Sequence, residues 1–412
     1  AYDNTGKTEV SPSITVTIGD NLAPNVTITS PANGETVTEL VTVIVTAEEK
    51  ASSKKKAISG IKKVELYING DKVGESPSVP YEYKWDTVTC ENGKYTLIAR
   101  VCDMAENEGE STPVSVTVNN PETYRFLAGW GSLGSVDGRF NKPRGIAVDL
   151  SGHVYVADYN NHRIQKFDSN GNFITKWGFY GSANGQFQYP FGIAVDSSGY
   201  VYVADTKNHR IQKFDSNGNF ITKWGSYGSG NGDFNSPCAI AVDSYGNIYV
   251  ADTYNNRIQK FDSNGTFITK WGSYGTGNGA FDHPFGIAVD TLGNVYVTDT
   301  ENNRIQKFDS NGIFITKWGS YGSDEGQFMF PYGIAVDTLG NVYVTDTENN
   351  RIQEFTPNGT FVTKWGLWGS ESSHFKWPYG IAIKSIEDYV YVSDTENDRI
   401  QKFECIRRIR RK

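Results

Sequence analysis

An all-β chain, most of it a ring of six repeated units, is what the 412 residues predict. Three observations carry that expectation. One proline recurs every 47 residues, as Pro143, Pro190, Pro237, Pro284, Pro331 and Pro378. The consensus of the unit reads P-x-G-I-A-V-D, a turn, V-Y-V-A-D, a short loop, R-I-Q-K-F-D, the turn S-N-G, and F-I-T-K-W-G. These runs are rich in Val, Ile, Tyr and Phe and bounded by Gly, Asn and Asp, as strands are. No helical period occurs in the unit. Tight turns make it an antiparallel meander, and four short strands in 40–50 residues describe a blade of a β-propeller. Six blades round an axis bury the faces that one blade alone would expose.

From the amino end, "AYDNTGKTEVSPSITVTIGD" at 1–20 lies over "VCDMAENEGESTPVSVTVNN" at 101–120. Residues 1–20 are therefore expected to be the last strands of a preceding module. The strand at 11–18 cannot satisfy its backbone alone. It belongs either to a longer tandem array or to a sheet of a neighbouring molecule, a route to self-assembly into a surface filament by strand donation. Residues 21–120 alternate apolar and polar with turn signals about every ten residues, the pattern of a β-sandwich. "SPANGETV", "YINGDKVG" and "NGKYTLIARVCD" in this stretch resemble the immunoglobulin-like modules found in tandem on bacterial and archaeal surface proteins. "EEKASSKKKAISG" reads as a solvated loop inside it. Cys90 and Cys102 are expected near opposite ends of one strand, beyond disulfide reach. With Cys238 and Cys405 they form no C-x-x-C, so cysteine leaves the compartment open. Sequons at Asn25, Asn264 and Asn358 are compatible with export. No apolar run approaches the ~20 residues of a membrane span, so membrane attachment would need an anchor outside this sequence.

Residues 121–404 are the expected propeller. The pattern G-I-A-V-D…V-Y-V-A-D-T…N-x-R-I-Q-x-F resembles NHL repeats, and the resemblance implies a six-bladed propeller. The last unit stops at Phe403 without an F-I-T-K-W-G strand, whereas "YRFLAGWG" at 124–131 is a spare strand of that type. It is expected to complete the last blade and close the ring. Outer strands carry Lys176, Lys223, Lys270, Lys317 and Lys364, which discourage edge pairing with other chains. The basic run at 405–412 reads as a tail.

Every unit holds an Asp ending its second strand and an Arg opening its third. The pairs are Asp158/Arg163, Asp205/Arg210, Asp252/Arg257, Asp299/Arg304, Asp346/Arg351 and Asp394/Arg399. Facing each other across one loop, acid and base can form a charge-assisted, two-pronged pair. Six equivalent pairs round a ring build blades rather than catalyse. The D-S-N-G turns use Asn-Gly for positive φ, and the five histidines, with no metal-ligand spacing, read as isolated surface residues. The resemblance also implies kinship with amidating lyases that hold zinc by histidine and lactonases that hold calcium by carboxylates and amides. Both place ligands where the inner strands open into the channel. Here that position is Arg144, Phe191, Cys238, Phe285, Tyr332 and Tyr379 in turn, with only His283 nearby, so no catalytic residue, metal or cofactor is assigned. RNA binding, another property the resemblance implies, is disfavoured by the acidic balance: the chain's net charge is −8 and phosphate needs basic surface.

The copies differ most on either side of the proline. The flanks are Lys142/Arg144, Tyr189/Phe191, Ser236/Cys238, His283/Phe285, Phe330/Tyr332 and Trp377/Tyr379, seven of twelve aromatic. Tyr189, Phe191, His283, Phe285, Phe330, Tyr332, Trp377 and Tyr379 form the candidate binding set, able to stack on sugars or hold peptide side chains. The same rings could instead plug the channel. The expected function is an extracellular or cell-surface binding or scaffold protein whose partner is a protein or a glycan; a metal-dependent propeller enzyme is the alternative.

Overall fold

The computed structural model describes residues 22–38, 40–50, 60–87, 90, 93–119, 123–385 and 387–406. The strand expected at 11–18, residues 51–59 of the solvated loop, and 407–412 of the tail lie outside the described residues. The chain divides into two compact units, one up to Pro121 and one from Glu122.

The first unit is a sandwich of two sheets. One holds Asn25–Ser30, Leu40–Glu48 and Tyr81–Asp86. The other is built on Gly93–Asp103, which lies between Val114–Val118 and Ile61–Ile68. Alternation decides what is buried: Tyr81, Tyr83 and Trp85 face inward while Glu82, Lys84 and Asp86 face water. They meet Val64, Leu66, Leu97, Ala99 and Val116 of the opposite sheet. Tyr83 keeps its hydroxyl satisfied inside the core by donating to the Val64 carbonyl at 2.7 Å. Cys102 lies in the strand Gly93–Asp103, but Cys90 does not share it as expected. It sits in the preceding turn, where its sulfur accepts the Trp85 indole N–H at 3.3 Å. All four cysteines are free thiols.

The second unit contains six four-stranded meanders. In blade 1 the strands, from the channel outward, are Pro143–Val148, Val154–Asp158, Arg163–Phe167 and Phe173–Trp177. The middle two are buried at every position, because neighbouring blades cover both faces. Tyr155, Ala157 and Ile164 of blade 1 pack on Phe187, Val203 and Phe214 of blade 2, and each such boundary repeats round the ring. Only the outer strand alternates, leaving Ile174 and Lys176 exposed.

Thr123–Trp130 pairs antiparallel with Arg399–Ile406, so an amino-terminal strand forms the outer edge of blade 6. The last strand runs to Ile406, past the expected boundary at 404, because Cys405 and Ile406 pair with Tyr124 and Thr123. Closure also explains one substitution. Lys166, Lys213, Lys260, Lys307 and Lys402 each reach the next blade and donate to a carbonyl of its outer turn at 2.9–3.1 Å. Blade 5 carries Glu354 instead. Its neighbour, blade 6, has no such turn, since its outer strand comes from the other end of the chain. Tyr124 occupies the place, stacked on Trp365 at 3.7 Å and donating its hydroxyl to Glu354 at 2.7 Å.

Five of the six blades have a glycine two residues after the proline, and blade 3 has Ala239. A Cβ on Gly145, Gly286, Gly333 or Gly380 would lie 2.1–2.2 Å from the carbonyl oxygen of the next blade's inner strand. Only glycine allows that approach.

Candidate binding site at the channel mouth

The Asp and Arg of each repeat hold one face of the ring in shape. Arg163 donates Nε–H to Asp158 at 2.7 Å, and all six pairs have this contact at 2.6–2.7 Å. The two-pronged pairing that the sequence allows is corrected here. Arg163, Arg210, Arg257, Arg304, Arg351 and Arg399 each give the carboxylate one N–H and turn both Nη groups to loop carbonyls. For Arg163 these are the carbonyls of Ser135, Val136 and Arg139, in the connection that enters the blade. Arg257 takes those of Ser229, Gly230 and Asp233, Arg304 those of Thr276, Gly277 and Ala280, and Arg351 those of Ser323, Asp324 and Gln327. The physical reason is crowding at the acid. Asp158 already accepts from Asn161, Gln165 and the Asn141 backbone N–H, and Asp252 from Asn255, Gln259 and the Asn235 N–H. Nor do these pairs sit on an open loop surface, since Arg163, Arg210, Arg257, Arg304 and Arg351 are all buried. Burial pushes the carboxyls of Asp158, Asp205, Asp299, Asp346 and Asp394 up, against their hydrogen bonds. The network spends its donors and acceptors on the fold.

On this scaffold the two flanks of each proline part company. The preceding residue is left-handed in every blade: Lys142, Tyr189, Ser236, His283, Phe330 and Trp377 have φ between 50° and 55°. Such a backbone costs a non-glycine residue of order 1 kcal/mol or more, and a hydrogen bond offsets it. The N–H of Tyr189 is received by His162 Nδ1 at 3.1 Å and that of Ser236 by His209 Nδ1 at 3.0 Å. Asn256, Asn303, Asn350 and Asp398 do the same for His283, Phe330, Trp377 and Lys142. His162 and His209 are therefore not isolated surface residues, as the sequence suggested; they tie one blade to the next. Burial pushes both imidazoles down, consistent with a neutral, accepting ring. The other histidines act locally: His153 is paired with Asp149 at 2.8 Å and His283 with Asp282 at 2.7 Å.

Of the candidate binding set, Tyr189, His283, Phe330 and Trp377 thus stand on the rim, and Trp377 is 45% exposed. Phe191, Phe285, Tyr332 and Tyr379, which follow their prolines, converge over the channel. Tyr332 lies 4.6 Å from Phe285 and 4.4 Å from Tyr379, and Phe191 lies 5.8 Å from Phe285. Burial pushes the Tyr332 phenol up. These inner rings close much of the channel. The remaining cavity is about 100 Å³, lined by Arg144, Phe191, Cys238, Tyr332 and Tyr379 above a ring of isoleucines. Burial raises the Cys238 thiol to about 11, far from a reactive thiolate.

Arg144 breaks the apolar pattern. Its guanidinium carbon sits 4.2 Å from the Tyr159 ring centroid, 4.3 Å from Tyr379 and 4.8 Å from Phe191. Its Nε is buried and meets no acceptor among the described residues. The sequence singled out neither Arg144 as a site residue nor Tyr159. The inner-strand residues include no carboxylate and no imidazole, so they do not fit the zinc or calcium sites of lyase and lactonase propellers. Among the described residues, no three His, Cys, Asp or Glu side chains converge as metal ligands.

Comparison with known proteins agrees with this architecture. Residues 24–99 match the bacterial Ig domain family, and 140–167, 187–214, 234–261, 281–308 and 328–355 match the NHL repeat. A stretch of 44 residues is 50% identical to the B-box type zinc finger protein ncl-1 of Caenorhabditis elegans, covering 11% of this chain and 5% of that protein. Another of 74 residues is 40% identical to the E3 ubiquitin-protein ligase TRIM71 of Gallus gallus, covering 17% and 8%. The chain thus spans under a tenth of these curated relatives. Among solved structures, a gluconolactonase of Xanthomonas campestris superposes with a TM-score of 0.50 at 13% identity, covering 69% of this chain and 97% of that one. At that identity the likeness is one of fold.

Proposed function

We propose that this chain, an NHL-repeat propeller joined to a bacterial Ig domain, is a non-enzymatic binding protein of the cell surface or extracellular space. Its ligand is held on the face where the blade connections and proline flanks meet, and the Ig domain serves as a spacer or assembly unit. The observation that carries this reading is the division of the aromatic flanks: the inner rings build a rigid floor, and the outer ones stand at its rim. A rim of partly exposed rings, with Trp377 the most open, on a rigid scaffold suits stacking and apolar capture. The inner-strand donor set does not suit metal-assisted chemistry, so the lactonase's fold is not taken as a guide to activity. Surface location is supported by the Ig domain's resemblance to modules of surface proteins.

Trp377→Ala tests the reading, since this half-exposed side chain can be removed without opening the core. The purified chain should capture members of a glycan or peptide array, and Trp377→Ala should weaken capture about tenfold with a melting temperature within about 2 °C of the parent. Turnover of a lactone by a protein that retains stoichiometric calcium through gel filtration would favour the enzyme instead. Tyr332→Ala is not a suitable probe. Its ring is packed between Phe285 and Tyr379, and truncation there costs stability directly, about 3 kcal/mol or more.

A further inference from the structure

Two departures from the repeat meet at one boundary, between blades 1 and 2. In blades 2 to 6 the residue after the paired Asp is a threonine, and its hydroxyl donates to the next proline's carbonyl at 2.6–2.8 Å. Blade 1 has Tyr159 there and gives up that hydrogen bond. The other departure is Arg144, the one cation among the residues following the prolines, and beside the two stands Tyr189, one of the four rings that precede a proline, where the following boundary has Ser236. Local rules broken by neighbouring residues at one place are expected at functional or strained sites.

Together they make a continuous track. Arg144 is cradled by Tyr159 and Phe191 at the channel mouth. Tyr159 lies 5.0 Å from Tyr189, Tyr189 lies 4.5 Å from His162, and His162 lies 5.0 Å from Tyr180. Tyr180 is 62% exposed at the outer end. At the next boundary Ser236 and Thr206 interrupt such a path.

We propose that this track binds an oligosaccharide carrying a carboxylate on its terminal sugar, the carboxylate received by Arg144 and the following sugars stacked along Tyr159, Tyr189 and Tyr180. This rests on the binding role proposed above. The guanidinium lacks a carboxylate partner among the described residues, and a planar fork fits an incoming carboxylate. The cavity, at about 100 Å³, is smaller than the ~150 Å³ that admits a benzene ring. It takes a carboxylate but not a sugar, so the rings of the ligand must lie on the face. A peptide would seek backbone partners, and here the backbone is already engaged: the connection's carbonyls by Arg210 and Gln212, the Tyr189 N–H by His162. The exposed Tyr180 ring, the partly exposed Tyr159 and Tyr189 and one guanidinium remain. Single rather than multiple charge is favoured by the acids Glu301 and Glu348 on the same face, Glu396 being paired with Lys142 at 2.9 Å.

The test titrates the full chain with a neutral hexose tetrasaccharide ended by glucuronic acid, and with the same tetrasaccharide ended by glucose. The acid-ended probe should bind at least tenfold more tightly, and Arg144→Gln should bring the two probes to within about twofold of each other. Tyr159→Thr restores the residue that five blades carry, so it keeps the fold; it should weaken both probes several-fold while holding or raising the melting temperature. Equal binding of the two probes, or an acid preference that survives Arg144→Gln, overturns the proposal. So does selective capture of acidic peptides, which would leave the broader binding role standing. Capture of nothing on glycan and peptide arrays would remove that role as well.

Discussion

At the scale of the residue, the histidines teach most. His162 and His209 follow no metal spacing, and from sequence each looks like a solitary surface group. Their work depends on a partner 27 residues ahead, in the next blade, and on a left-handed backbone that no local pattern announces. The signal was available in the repeats laid over one another, where the same position holds Asn256, Asn303, Asn350 and Asp398, all side chains that accept hydrogen bonds. Titration should expose the difference. Burial lowers both imidazole pKa values in the folded chain, with Asp205 opposing at His162 and Lys207 reinforcing at His209. The unfolded chain then binds more protons below the ordinary value of about 6.5. Stability is complete above that value and is lost as pH falls from it toward the folded pKa, where protonation turns Nδ1 from acceptor into donor. The double variant His162→Asn, His209→Asn keeps an acceptor that cannot titrate. Its melting temperature should fall less than the parent's between pH 7 and pH 5; parallel curves would mean that the two rings do not titrate with folding.

At the scale of the element, the blade was almost wholly legible. Period-2 runs, Asn-Gly turns and a fixed interval specify four strands and three turns because each is a local property of the chain. What each blade does to its neighbour was less legible, since it depends on residues 50 positions apart, and 233 apart where Lys402 reaches Ser169 across the closure. Glu354 is the sharpest case: in the sequence it is a single change from R-I-Q-K-F to R-I-Q-E-F, and only ring closure gives it a reason. The aromatic flanks were likewise found as a set, but their split into rim and floor follows from the strand direction on either side of proline, which spacing alone does not resolve. A direct test is Glu354→Lys. It would place an ammonium in a fully buried position beside the Tyr124 hydroxyl, where blade 6 has no turn carbonyl to receive it. The expected loss is about 3–5 kcal/mol, the range for an uncompensated buried charge, measured by denaturant unfolding. A variant as stable as the parent would show that the lysine of the other blades and the glutamate of this one are interchangeable, and that closure does not dictate the choice.

At the scale of the whole propeller, the ring is a chain closed by one non-covalent seam. Within every other blade the strands are consecutive, so a turn of a few residues holds them together even when hydrogen bonds open. Across the seam, Thr123–Trp130 meets Arg399–Ile406 with the rest of the propeller between them. Opening there frees the longest loop of chain at the expense of a single strand's pairing, so the seam is the expected first step of unfolding. A disulfide across it should act accordingly. Arg125 and Glu404 face each other in register and form an exposed ion pair, 279 residues apart in sequence. Directly opposed positions of an antiparallel pair suit a disulfide, and replacing a surface ion pair costs little. In a background where Cys405 is serine, the oxidised Arg125→Cys, Glu404→Cys chain should gain about 5 kcal/mol in the chain-entropy account. A cross-link between the opposed Gln165 and Lys176, within blade 1, closes a loop of about a dozen residues; its oxidation should add markedly less, about 3 kcal/mol by the same account, measured against a reduced form that has equally lost the buried Gln165 from the Asp158 network. Scanning calorimetry of the oxidised and reduced forms decides between them. Equal gains at the two places would mean that the ring unfolds elsewhere first, and that the borrowed strand is an ornament of blade 6 rather than the clasp of the propeller.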